Sequence, residues 1–169
     1  MSGKSNMLWT VYKKLEKDVI DLSYYIHFSD EKLTTKHNQI WTYSNQIADL
    51  LIAISTQIES LFLELYKNEF NSDPNTIGIA ISEIDRKWNL STKRVKIISK
   101  NMYFTDVNGF GSEFAPMAYK SHDENDYYSS YCAVKHNRID TIHKANINVL
   151  IRALAALFIL NAYYSYEKD

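Results

Sequence analysis

An all-α bundle is what this sequence predicts, and three observations carry the prediction. Apolar residues recur at steps of three and four over long stretches, the spacing that puts them on one helix face. Gly (4) and Pro (2), which break helices and serve the tight turns of β folds, are scarce in the 169-residue chain. Hydrophobic residues make up 46%, too many for a disordered chain. The length suits a single domain, 1–169, with one core.

The first helix is predicted over 8–28, where Leu8, Val11, Tyr12, Leu15, Val19, Leu22 and Ile26 form the stripe. Lys13, Lys14, Lys17 and Asp18 fall largely on the other side. A polar connector, SDEKLTTKHN, follows. The second and clearest helix is predicted over 39–70, from Ile40, Tyr43, Ile47, Leu50, Leu51, Ile54, Ile58, Leu61, Phe62 and Leu65. It would be ~45 Å long at ~1.5 Å per residue, with a stripe wide enough for two neighbours. NSDPN ends it. Asp73 then suits the N-cap, and Pro74 the first turn, of a third helix carrying Ile77, Ile81, Ile84 and Trp88.

From 89 to 123 the helical pattern fails, which predicts an irregular excursion from the bundle. KRVKIISKNMYF is β-branched and alternates briefly, so it admits a short extended piece. DVNGFGSEFAPM holds two of the four glycines and one of the two prolines. Its GFG (Gly109 to Gly111) is too short for a phosphate loop. Charge is segregated here. Arg86, Lys87, Lys93, Arg94, Lys96 and Lys100 precede Asp106, Glu113, Asp123, Glu124 and Asp126. Two solvated faces are the plain reading, and an RNA-phosphate contact is the functional one for the basic run.

Helical pattern returns near Asp126, with Asp123 as the expected cap. Ile142, Ala145, Val149, Ala153, Ala156 and Leu160 form a stripe of mostly small residues, which predicts a close helix–helix contact. The segment reads either as one long helix or as two, broken near 137–140.

A net charge of -1 gives no global attraction to nucleic acid or membrane. Cys132 stands alone, which excludes an internal disulfide and a multi-cysteine zinc site. It fits a reducing, cytoplasmic setting and reads as a small buried residue. Met1 to Asn6 shows no signal-like apolar core. The run Ala153 to Leu160 falls short of the roughly 20 residues of a membrane span, so no membrane association and no cofactor are expected.

The stretch YCAVKHNRIDTIHKAN, Tyr131 to Asn146, carries the candidate chemistry. On one continuous helix His136, Asp140 and His143 share a face, at about 100° per residue. Histidine and carboxylate suit a transition metal, but three ligands from one helix make a poor tetrahedral site. No metal is therefore expected, and a polar face with Asp140 bonded to a histidine is preferred. If the helix breaks at 137–140, Arg138 can turn toward His143. Histidine exchanges a proton near neutral pH, and arginine offers a charged fork to phosphate. With an RNA 2′-hydroxyl attacking, that pair suffices for metal-independent cleavage. Glu59, on the second helix, either faces solvent or turns in to meet Lys135, Arg138 or a histidine.

RIDTIH, Arg138 to His143, resembles the Arg-x4–6-His motif of HEPN domains (higher eukaryotes and prokaryotes nucleotide-binding). YYSSYCAVKHNR is similar to the Val-Lys-His-x-Arg element of a bacterial HEPN-like subgroup, through Tyr127, Tyr128, Tyr131, Val134, Lys135, His136 and Arg138. ALAALFIL and YSNQIADLLIAISTQIESL resemble the subgroup's late and early helices. The likeness touches roughly half the chain and leaves 72–121 without a motif. Tyr127-Tyr128 stands where tryptophans are usual, Cys132 where asparagine is, and Ile139 where a polar residue is. The resemblance implies an antiparallel bundle of four or five helices. It also implies a homodimer, for which the small-residue stripe from Ala145 to Ala156 is the candidate contact. The function it implies is a non-catalytic module that binds a nucleotide, RNA or a protein partner such as an antitoxin, in bacterial defence. Lys135, His136, Asp140, Tyr131 and Glu59 would then form a binding or structural network. The alternative is a metal-independent ribonuclease with Arg138 and His143 as catalytic residues.

Overall fold

The computed structural model describes residues 3–31, 38–104, 112–118 and 122–168. Six helices appear among them: α1 (Gly3–Leu22), α2 (Asn45–Phe70), α3 (Ile77–Trp88), α4 (Tyr127–His136), α5 (Arg138–Thr141) and α6 (Ile147–Lys168). Four strands have two residues each: β1 (Phe28–Ser29), β2 (Val95–Lys96), β3 (Met102–Tyr103) and β4 (Glu113–Phe114). The fold is dominantly helical, as expected. Six exceeds the expected four or five because the segment after Asp126 is broken.

The bundle is built around α2 and α6, which pack on each other, with α1 against α6 and α3 and α4 against α2. Ile47, Leu51, Ile54, Ile58 and Leu65 of α2 are wholly buried. The helix begins at Asn45 rather than at 39 because the Ser44 hydroxyl accepts from the Ile47 N–H at 3.1 Å. Gln39–Trp41 forms a separate 3-10 turn that still buries Ile40. The helix is therefore ~39 Å long. It ends at Phe70, as predicted, on Asn71 in the left-handed conformation (φ 49°).

On α6 and just before it, Ala145, Val149, Ala153, Ala156 and Leu160 are wholly buried. The small residues give the close helix contact predicted for them, but within one chain. They leave no free surface for a second copy, so a dimer through α6 would have to use outward residues such as Phe158 and Tyr166 instead. By length and composition, Asn45–Phe70 and Ile147–Tyr166 would reach across a membrane, contrary to the expectation from the shorter run alone. The second has 78% of its apolar window buried inside the bundle, the setting of a core helix.

Three further boundaries differ from expectation. First, α1 stops at Leu22, not at 28. Extended backbone there lets Phe28 enter the core and pair in parallel with Met102, while Tyr24 and Tyr25 stay outside. Second, α3 is capped by Thr76, whose hydroxyl accepts from the Ile79 N–H at 3.3 Å. Asp73 instead pairs with Lys67 at 3.1 Å. Third, α4 is capped by Asp126, not by Asp123, which holds the preceding turn by accepting from the Asn125 N–H at 2.7 Å.

Residues 89–123 are irregular where described, with a 3-10 turn at Leu90–Thr92 and an antiparallel β2–β4 pair. The short extended piece is thus present. Gly109 to Gly111 and Asp106 lie outside the described residues. Among the described residues, three of the six cations of the basic run pair with acids. Arg86 pairs with Glu83 at 2.6 Å, Arg94 with Glu113 at 2.9 Å, and Lys87 with Glu69.

Candidate functional site

The stretch that carries the candidate chemistry is fixed from its N-terminal side by α4. Asp126 is buried and accepts from the Ser129 N–H at 2.9 Å and the His122 N–H at 2.7 Å. That cap sets the rotation of α4, which turns Tyr127, Tyr131 and Val134 into the core. Glu59 of α2 faces the same helix. Tyr128 and Tyr131 donate to its two carboxylate oxygens at 3.0 and 3.1 Å. Lys135 donates to the Tyr131 hydroxyl at 2.8 Å and lies 5.0 Å from its ring centroid.

Glu59 therefore turns inward, with tyrosines as its direct partners; among the described residues neither Arg138 nor a histidine bonds to it. Burial, then the bond to Glu59, pushes the Tyr128 phenol well above its ordinary range. The Lys135 ammonium is raised by its bond to Tyr131. The half-buried Cys132 thiol is pushed up, first by burial and then by the Glu59 charge, which disfavours a reactive thiolate.

Of the two readings left open by the sequence, the broken helix is the one that forms. Asn137 leaves helical conformation (φ −148°, ψ 69°) and ends α4. Then come the single turn of α5, a 3-10 turn at Ile142–Lys144, and the start of α6, where Asn146 accepts from the Val149 N–H at 3.2 Å. Arg138 donates to Asp49 of α2 at 2.6 Å, at a half-exposed position. Asp140 accepts from the Asn137 side chain at 2.8 Å rather than from a histidine.

His136 and His143 are exposed, and among the described residues no hydrogen bond or ion pair reaches either imidazole. The shared His136–Asp140–His143 face is thus interrupted, and no trio of metal-ligating side chains gathers among the described residues. What the break creates is a solvent-facing corner. Lys135, His136, His143 and Lys144 are exposed along this stretch, Arg138 is half-exposed, and Ile139 is 92% exposed.

One polar residue of consequence was not anticipated. Arg152 lies in the apolar run of α6 and is 92% buried, at 8% exposure. Its Nε donates to Asn148 Oδ1 at 3.0 Å, and Nη1 to the Ala115 carbonyl at 3.4 Å. Its guanidinium sits 5.2 Å from the Phe114 ring centroid. Asn148 in turn donates to the Glu124 carbonyl at 3.0 Å. Burial lowers the Arg152 pKa, and the charges of Asp123 and Glu124 oppose that. The group clasps the excursion onto α6. The signal for it was a lone cation in an apolar run, since a buried charge demands partners.

No family model matches the chain, and no curated protein or solved structure matches it either.

Proposed function

We propose that this protein is a non-catalytic HEPN-like module that binds an anionic partner, RNA or a nucleotide, through the corner at 135–144. The observation that carries the reading is the setting of the motif pair. Arg138 is held by Asp49 at 2.6 Å, and the His143 imidazole has no orienting partner among the described residues. A general acid–base group works best when its ring is held toward the proton it moves. An unoriented imidazole on a basic, exposed corner suits binding better than proton transfer. Lys135 and Lys144 supply charge for phosphate, and the His136 and His143 rings add hydrogen-bonding groups. Ile139, 92% exposed on the same stretch, adds an apolar contact.

The alternative reading, a ribonuclease using Arg138 and His143, draws on the same break, which puts both residues on short turns at one exposed corner. One experiment separates them. Labelled single-stranded RNA is incubated with the protein, with and without chelator, and both retardation and cleavage are read. Retardation without cleavage is expected, weakened by Lys135→Ala with Lys144→Ala and by added salt. Chelator-resistant cleavage abolished by His143→Ala would establish the ribonuclease instead. Neither retardation nor cleavage would refute both for RNA, leaving ATP and GTP titrations to test the nucleotide.

A further inference from the structure

Exposed aromatic rings gather at the end of the bundle that carries the corner. Helix α1 runs antiparallel to α6: the Ser5 and Ser165 hydroxyls meet at 2.8 Å, while Tyr12, further along, stacks near Phe158 with ring centroids 5.7 Å apart. The C-terminal end of α1 therefore lies beside the N-terminal end of α6, into which the corner runs. Just past α1, Tyr24 and Tyr25 are 71% and 86% exposed. His27 is exposed too and stacks on Tyr103, with ring centroids 5.0 Å apart and planes at 27°.

These rings connect to the corner through the fold. Tyr103 belongs to β3, which pairs with β1; β1 packs on the Gln39–Trp41 turn, and that turn packs on α6. Tyr43 follows the turn and is bridged to Asn146, three residues after His143. Tyr43 and Tyr103 are each more than half exposed. Large apolar residues scattered singly over a surface need no explanation, but gathered at one end they mark an interaction site. The acids of the corner, Asp49 and Asp140, are already bonded to Arg138 and Asn137, and Lys144 has no acid partner among the described residues. Cations for phosphate beside rings for bases are what a single strand of nucleic acid needs. A duplex keeps its bases stacked on one another, and a free nucleotide has one base for several rings, so both suit this surface less well.

We propose, building on the reading of the corner as the anion site, that its ligand is unpaired RNA, with bases stacked on Tyr25, Tyr43 and the Tyr103–His27 pair and phosphates along 135–144.

Fluorescence anisotropy with a labelled single-stranded RNA, an abasic strand of the same length and the RNA annealed to its complement tests it. The parent protein should bind the intact strand ~5-fold or more tightly than the abasic one. Tyr43→Ala and Tyr103→Ala should each weaken intact-strand binding ~5-fold or more without changing its salt dependence. Both should leave abasic-strand and duplex binding as they were. Tyr103→Trp should bind like the parent, because stacking needs a ring and not a hydroxyl. If either alanine variant loses its helical circular dichroism, Tyr25→Ala takes its place. Equal affinity for intact and abasic strands would overturn the stacking surface and leave the anion site standing. So would undiminished binding by the folded tyrosine variants where Lys135→Ala with Lys144→Ala still weakens it. If the parent protein binds none of the three RNAs, the RNA reading of the corner falls and the stacking surface with it.

Discussion

Two arginines of the C-terminal third have opposite settings, and their removal should separate them. Arg138 and Asp49 are 37% and 59% exposed, so water and salt screen their pair. Arg138→Ala should cost no more than about 1 kcal/mol in a urea melt. Arg152 is buried and its removal strips hydrogen bonds from Asn148 and Ala115. Arg152→Ala should cost about 2–3 kcal/mol, because it leaves buried acceptors without their donor. The motif made Arg138 conspicuous in the sequence, although its partner Asp49 lies 89 positions away and no local pattern announces it. Arg152 was visible only as an exception in an apolar run. Glu59 could be read as inward or outward; the choice of Tyr128 and Tyr131 as partners depends on how α4 rotates against α2, which its cap at Asp126 sets. The tyrosines also give a pH dependence. Tyr12 and Tyr128 both have raised pKa values in the folded state, each chiefly through burial. The unfolded chain therefore loses these protons first, so their contribution is complete below ~10 and is lost as pH rises above it. Stability to urea should fall above that pH, with a shallower fall in Tyr128→Phe.

Helix existence was legible from periodicity, and helix ends, that of α2 at Phe70 aside, were not, for a reason the caps make plain. A stripe such as Ile47, Leu50, Leu51, Ile54 and Ile58 reports a buried face over several turns, and α2 and α3 follow it closely. A boundary depends on which of several neighbouring Ser, Thr, Asp or Asn side chains reaches back to an amide. Around α3 the sequence pointed to Asp73, and Thr76 caps; around α4 it pointed to Asp123, and Asp126 caps. In both cases the later residue caps and the earlier one makes another bond. Thr76→Ala should accordingly cost about 1 kcal/mol by denaturant melting, while Asp73→Ala should stay within about 0.5 kcal/mol. The end of α1 was hidden differently. Ile26 continues the helical spacing, but Phe28 is claimed by β3, a partner 74 positions later. The irregular nature of 89–123 was legible from its glycine, proline and loss of period; its attachment to α6 was not, because that rests on Arg152.

At the scale of the molecule, the described part of the excursion is tied to the bundle at several points: β3 pairs with β1, Leu90–Thr92 packs on α3, and 112–118 is held by the Arg152 contacts of α6. Releasing them in Arg152→Ala should expose 112–118 to limited proteolysis before the helices are cut, read by mass spectrometry of the first fragments. The other long-range tie is smaller. Tyr43 and Asn146 form an isolated antiparallel bridge, and the Ile147 N–H donates to the Thr42 carbonyl at 3.1 Å. These residues precede the two central helices and lie about a hundred positions apart. Closing a loop of that length costs about 4 kcal/mol beyond a constant, before any contact it permits can repay it. The α2–α6 pairing is thus non-local, and the chain should fold more slowly than a bundle whose neighbours are joined by short hairpins. Hydrogen-exchange pulse labelling should find the Ile147 amide protected in the last phase. The basic corner, which ends against that bridge, is consequently among the last parts of the chain to take shape, and a nascent chain that stops short of α6 cannot present it.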